Sequence, residues 1–262
     1  MLLAIDCGNT HIVFGIFNRS DLSVSWRFET LKTKDVSGFL SDFLTKLETV
    51  NVDLNQISSV ILASVVSETA ECFENLIRFL NVPFLNLDDP LIKLPIDIEL
   101  PDPTQVGADR IVNAVAASSL TKSDIIILDF GTATTFDVVK NIDNRAVYKG
   151  GVIAPGVNLS VEALSKAASK LPDINFSNFP SDTPVIGTNT QSAMWSGIIW
   201  GYVGLIEGII HKIQDESDTS FKILSTGGLA SLYLPYCDLI KWQVPELTLL
   251  GLQQIAKINE YQ

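Results

Sequence analysis

Apolar residues gather in short runs separated by polar turns, and one such unit occurs twice. Met1–Ile5 and Ile12–Phe17 flank the turn Asp6-Cys7-Gly8-Asn9-Thr10. Ile125–Leu128 and Thr135–Val139 flank Asp129-Phe130-Gly131-Thr132-Ala133-Thr134. Each predicts strand, turn, strand, and each opens a half of similar length. In the first half, Leu22–Phe28 alternates as a third strand, Val36–Leu47 has helical spacing, and Val60–Val66 reads as a buried strand. A helix over Glu68–Leu80 and a strand over Val82–Leu87 follow. Pro90, Pro95, Pro101 and Pro103 then mark an irregular stretch, which ends in a helix running to Ser118. In the second half, Tyr148–Gly156 is a strand leading into a glycine-rich turn, Val161–Ala168 is helical, and Ile174–Val185 is a surface loop or flap. A long helix runs from Asn189 to Gln214, with a capping box on Thr188–Gln191. Lys222–Ala230 reads strand, glycine turn, helix. Alternating strands and helices imply an α/β fold, with halves 1–118 and 119–262.

Composition narrows the class. With 47% hydrophobic and 18% charged residues, the 262-residue chain folds compactly. A net charge of −12 argues against a broad nucleic-acid surface, which needs clustered Lys and Arg. Cys7, Cys72 and Cys237 are widely spaced and read as buried free thiols in a reducing compartment. No basic leader opens the sequence, and the most apolar stretch, Ala193–Ile210, holds Glu207 and four glycines. The expectation is a cytoplasmic protein that engages no membrane.

The duplicated turn carries the candidate chemistry. Glycine lets backbone approach a ligand closely, neighbouring N–H groups and hydroxyls can meet anionic oxygens, and aspartate can hold the accompanying cation. Either turn alone is equally a plain β-hairpin. Two of them suggest a nucleotide clasped between related half-domains. The sequence has no P-loop, no dinucleotide fingerprint and no nucleophile elbow. His11 and His211 form no metal pair or triad and read as structural.

The ordered set Asp6–Thr10, Gly107-Ala108-Asp109-Arg110, Asp129–Thr134, Gly150–Gly156, Gly187–Thr190, Thr226–Ala230 and Leu247–Leu252 resembles the type III pantothenate kinases over nearly the whole chain. That family belongs to the acetate and sugar kinase, Hsp70 and actin superfamily. The resemblance implies two duplicated actin-like (ribonuclease H-like) half-domains with a nucleotide cleft between them. It also implies ATP-dependent phosphorylation of pantothenate, the first step of coenzyme A synthesis. By this resemblance Asp6 anchors Mg²⁺ through water, and Gly8, Asn9 and Thr10 cradle phosphate within an ATP-binding stretch that also spans Cys7, His11, Ile12 and Val13. Thr132 contacts ATP phosphate, and Asp129 sits at a monovalent-cation site for K⁺ or NH₄⁺. Gly107, Ala108, Asp109 and Arg110 line the pantothenate pocket, with Asp109 as the base facing the hydroxyl, and Thr190 contacts substrate. Leu100 stands where relatives commonly carry a substrate-contacting Tyr.

Gly197, Gly201, Gly204 and Gly208 form one stripe of the long helix. Each costs roughly 1 kcal/mol of helix propensity against alanine, so the stripe needs a close contact, either within the chain or at a subunit interface. The resemblance implies a homodimer with a shared substrate site, Thr190 reaching across.

Overall fold

The computed structural model describes residues 1–30, 36–167, 171, 172, 174 and 183–259. The chain divides into two compact units, Lys122–Pro245 and the remainder, Met1–Thr121 with the segment from Glu246 onward.

The first unit begins with β1 (Leu2–Cys7), β2 (His11–Asn18) and β3 (Asp21–Glu29), an antiparallel meander. Helix α1 (Val36–Thr49) leads to β4 (Ser59–Ser64), and α2 (Ala70–Leu80) leads to β5 (Phe84–Asn86). A two-residue strand, β6 (Asp97–Ile98), and α3 (Ala108–Leu120) follow. The five-stranded sheet has the order β3-β2-β1-β4-β5, with β4 parallel to both β1 and β5. Alternation along β1 sends Leu3, Ile5 and Cys7 into one core with Phe14, Trp26, Phe39, Phe43 and Phe73. Phe14 lies at its centre, stacked on Trp26 at 5.3 Å and edge-on to Phe28 at 5.4 Å.

In the second unit, β7 (Ile125–Phe130), β8 (Ala133–Ile142) and β9 (Arg145–Pro155) form another antiparallel meander. Helices α4 (Val157–Ala167) and α5 (Thr190–Ser217) come next. Then follow β10 (Lys222–Thr226), α6 (Ala230–Tyr233) and β11 (Trp242–Gln243). These five strands lie in the order β9-β8-β7-β10-β11, with β10 parallel to β7. Position for position, this repeats β3-β2-β1-β4-β5, so the internal duplication of the turns extends to the topology of both sheets. Leu128, Phe130 and Phe136 face a core built with α5 and α6, where Tyr233 stacks on Phe130 at 5.3 Å.

The final helix, α7 (Leu247–Ile258), departs from the sequence reading, which put all of 119–262 in the second half. It packs on α3 and β1 of the first unit. Gly251 makes this possible, because a Cβ there would stand 2.1 Å from the Val112 carbonyl oxygen. Thr248 Oγ1 donates to Asn113 Oδ1 at 2.8 Å on the same interface. The division falls after Thr121.

Smaller differences concern helix ends. The capping box lies one residue later than expected. Asn189 Oδ1 accepts from Ser192 N at 2.9 Å, and Ser192 Oγ accepts from Asn189 N at 3.1 Å. Helix α4 starts at Val157, four residues early. Apart from Ile174 and residues 183–185, the expected loop over 174–185 lies outside the described residues. Cys7, Cys72 and Cys237 are buried free thiols, as expected.

Helix α5 is long and apolar enough to cross a membrane by length and composition, yet half of its apolar window is buried inside the chain. Its four-glycine stripe faces outward, and a Cβ at Gly197, Gly201, Gly204 or Gly208 would meet no atom of the chain within 4 Å. Among the described residues, no helix crossing within the chain uses these glycines.

Candidate active site

The first turn joins β1 to β2. Asp6 is half-buried on β1, between Val13 and Ala63 on the neighbouring strands. Gly8 N–H donates to His11 O at 3.0 Å, so this amide is used by the turn itself. Thr30 fastens the turn from the end of β3. Its hydroxyl donates to Gly8 O at 2.6 Å and its N–H to Thr10 O at 2.9 Å. Asn9, Thr10 and His11 are exposed at the tip, and Val13 is half-buried.

Two members of the expected ATP-binding stretch point elsewhere. Cys7 and Ile12 bury their side chains in the first core, because strand alternation turns them away from Asp6 and Val13. Only their backbones are available to a ligand. Cys7 Sγ lies 3.3 Å from Thr69 Oγ1, whose proton goes to Val66 O at 2.8 Å, so the thiol is the donor. Burial raises the Cys7 pKa.

The Gly107–Arg110 motif forms the start of α3. Gly107 is the N-cap and Asp109 lies in the first turn, where the helix dipole favours a negative charge. Asp109 Oδ1 accepts from Arg110 N at 2.9 Å and fills the space beside Gly107, where a Cβ would come within 2.6 Å of it. Ahead of α3, Asp102 caps a short 3₁₀ turn, Pro103–Gln105. The Thr104 hydroxyl, 2.6 Å from Asp102 Oδ1, holds this carboxyl below the usual aspartate range, with help from the Thr104 N–H and the Gln105 amide. Leu100 is half-buried just before this turn.

The second turn, β7 to β8, repeats the plan. Gly131 N–H closes it on Ala133 O at 3.1 Å, and Thr132 is exposed at the tip. Asp129 pairs in register with Thr135 on β8 and Thr226 on β10. Two glycines frame its carboxylate. A Cβ on Gly227 would stand 2.5 Å from Asp129 Oδ1, and one on Gly131 would stand 3.7 Å away. Gly227 has φ +89°, a conformation L side chains rarely adopt. Gly156 seats the turn from below, since a Cβ there would lie 2.1 Å from Thr132 O. Sequence reasoning left Gly227 without a firm role and gave Gly156 none. Both directly follow a strand, Gly156 after β9 and Gly227 after β10.

Thr190 is the first residue of α5 and lines an 820 Å³ cavity in the second unit with Gly187, Thr188, Ser160 and Tyr202. Tyr202 donates to Pro155 O at 2.9 Å, so Ser160 is the donor in its 2.6 Å contact with Tyr202 Oη.

The donor set suits hard cations. Among the described residues no three His, Cys, Asp or Glu side chains converge, so there is no all-protein metal cage. Mg²⁺ in phosphoryl-transfer sites is commonly held by one or two carboxylates together with substrate phosphates, which Asp6 can satisfy. The glycine-framed carboxylate of Asp129 offers an oxygen cradle that a larger residue at 227 would fill.

A profile described as type III pantothenate kinase matches residues 2–212. A type III pantothenate kinase of Paramagnetospirillum magneticum is 44% identical over 99% of this chain and 98% of its own length. One from Roseobacter denitrificans is 40% identical over 99% of both. Among solved structures, a ROK family glucokinase from Streptomyces griseus in complex with glucose and AMPPNP superposes with TM-score 0.56 at 10% identity. It covers 98% of this chain and 99% of that one. A ROK hexokinase from Thermus thermophilus gives 0.52 at 11% identity, with 98% and 99% covered. The likeness to these two sugar kinases is one of fold. The chain belongs to the type III pantothenate kinase family.

Proposed function

We propose that this chain transfers the γ-phosphoryl group of ATP to the primary hydroxyl of pantothenate, giving 4′-phosphopantothenate at the entry to coenzyme A synthesis in the cytoplasm. The observation that carries the reading is Asp109. One of its oxygens is fixed by Arg110 N–H at the start of α3. The other makes no hydrogen bond among the described residues and accepts the proton of the substrate hydroxyl. An aspartate is a weak base for an alcohol, which suffices when the proton leaves late, after most of the bond to the leaving phosphate has broken. Gly107, Ala108, Arg110 and Leu100 line the pantothenate pocket around it. Asn9 and Thr10 at the first turn and Thr132 at the second hold ATP phosphates. The Gly8 and Gly131 amides close their own turns and serve as scaffold. Asp6 holds Mg²⁺ through water and Asp129 holds K⁺ or NH₄⁺. The bound cations neutralise charge on the transferring phosphoryl group.

The outward glycine stripe of α5 supports a homodimer. A stripe that costs helix propensity and meets nothing in its own chain fits a close helix crossing with a second copy. Thr190, exposed at the head of the same helix, then contributes to the partner's substrate site.

Coupled measurement of ADP release with pantothenate, beside a panel of sugars, tests the reaction. Pantothenate-dependent release well above the sugar background is expected. Equal rates with sugars, or none with pantothenate, overturn it.

A further inference from the structure

On the face of the second sheet that carries Asp129, β8 also places Thr135 and Asp137. Thr135 lies directly across the ladder from Asp129, and Asp137 lies directly across from Ile127. Asp137 is wholly buried. Its Oδ1 accepts from Tyr148 Oη at 2.7 Å and its Oδ2 from Thr135 Oγ1 at 3.3 Å. A buried carboxylate costs several kcal/mol of desolvation and is retained only where other groups compensate or function requires it.

The direction of the Thr135 bond has a chemical consequence. A hydroxyl has one proton and two lone pairs. Thr135 is the donor in its bond to Asp137, so its one proton is committed there. The Thr135 oxygen is then left as an acceptor, and its ladder position puts it beside Asp129, whose carboxylate Gly131 and Gly227 frame. Directly opposed residues have Cβ atoms about 4.5–5.5 Å apart, close enough for two side-chain oxygens to share one ion.

We propose that Thr135 Oγ1 is a second protein ligand of the monovalent cation at Asp129, and that Asp137 is a positioning residue that holds the Thr135 hydroxyl with its lone pairs toward the ion. The proposal rests on the cation role of Asp129 given above. Hard cations take oxygen ligands of this kind, carboxylate and hydroxyl together. Asp137 itself touches neither ion nor substrate.

The test uses Thr135→Val, which keeps the shape and removes the oxygen, Thr135→Ser, which keeps the oxygen, and Asp137→Asn, whose amide can donate to Thr135 and reverse its hydroxyl. Two quantities are read on the full chain. One is the thermal midpoint in K⁺ against Na⁺ with a non-hydrolysable ATP analogue. The other is the K⁺ concentration for half-maximal turnover. Wild type and Thr135→Ser should be stabilised by K⁺ over Na⁺. Thr135→Val and Asp137→Asn should lose most of that difference and need about 10-fold or more K⁺, the scale on which changes around a metal site weaken it. Their ATP KM at saturating K⁺ should stay near wild type. Midpoints in Na⁺ alone report folding, and Thr135→Ala is read in place of Thr135→Val if the latter is unfolded. A Thr135→Val enzyme with the wild-type K⁺ requirement and K⁺ stabilisation overturns this inference and leaves the cation reading standing. A wild-type protein that is active and indifferent to K⁺, NH₄⁺ and Na⁺ overturns both.

Discussion

Gly227 lies against the carboxylate of Asp129, with the place of a Cβ only 2.5 Å from Asp129 Oδ1. Two strands of one sheet thus meet at a point where only hydrogen fits, and the backbone of Gly227 adds a left-handed φ of +89°. Gly227→Ala should destabilise through both effects by about 2–4 kcal/mol and displace the Asp129 carboxylate. Thermal unfolding reads the first effect and, with the cation role proposed for Asp129, the K⁺ dependence of turnover reads the second. An alanine enzyme with a wild-type midpoint and K⁺ response would remove the glycine from the site.

Asp109→Asn keeps the size of the side chain and its bond to Arg110 N–H but cannot accept a proton. Turnover should fall by about 100-fold or more, while pantothenate binding measured by calorimetry survives in part. Turnover within about threefold of wild type would assign Asp109 to the helix dipole alone.

Gly201→Leu places a large side chain on the outward stripe of α5, where the chain itself offers no obstruction. Its unfolding midpoint should therefore change little at low protein concentration, while light scattering reports loss of the proposed dimer and activity falls. A wild type that is a fully active monomer rules out a shared site. Mixed Asp109→Asn and Thr190→Arg subunits should recover some activity if the site is shared between chains, and none if both residues act from one chain.

Asp102 gives a pH signature. Its carboxyl is held below the usual range chiefly by the Thr104 hydroxyl, so folding favours the charged form. That contribution is complete above the unfolded aspartate pKa of about 3.9 and is lost as pH falls through the lower folded value. The difference in midpoint between wild type and Asp102→Ala should be level near neutrality and shrink in strong acid. A difference independent of pH would assign the effect to packing of the Pro103–Gln105 turn.

Local chemistry made much of this legible in the sequence. The duplicated turns stood out because Asp and Gly sit between apolar runs, and the same order of strands recurs in both sheets. The cap of α5 was misplaced by one residue because Thr188 and Asn189 are both competent caps, and the choice depends on which one Ser192 reaches. Two features depended on distant partners. Leu247–Ile258 has helical character, but its place on the first sheet is set by the approach of Gly251 to Val112 and of Leu249 to Gly15. Asp137 lies between Phe136 and Val138 and looked like an ordinary strand residue. Only the cross-strand register brings Thr135 beside Asp129 and Tyr148 onto Asp137.

The return of α7 to the first unit has a consequence for synthesis on the ribosome. Strand β1 is made first, yet the helix that covers it emerges only after all of Lys122–Pro245 has been translated. At about 5–20 residues per second, that leaves roughly 6–25 s during which the α7-facing apolar sides of β1, β2 and α3 have no cover from their own chain. The second unit, continuous in sequence, can close as soon as β11 appears. The nascent first unit therefore needs protection for longest, although it is the first to leave the exit tunnel.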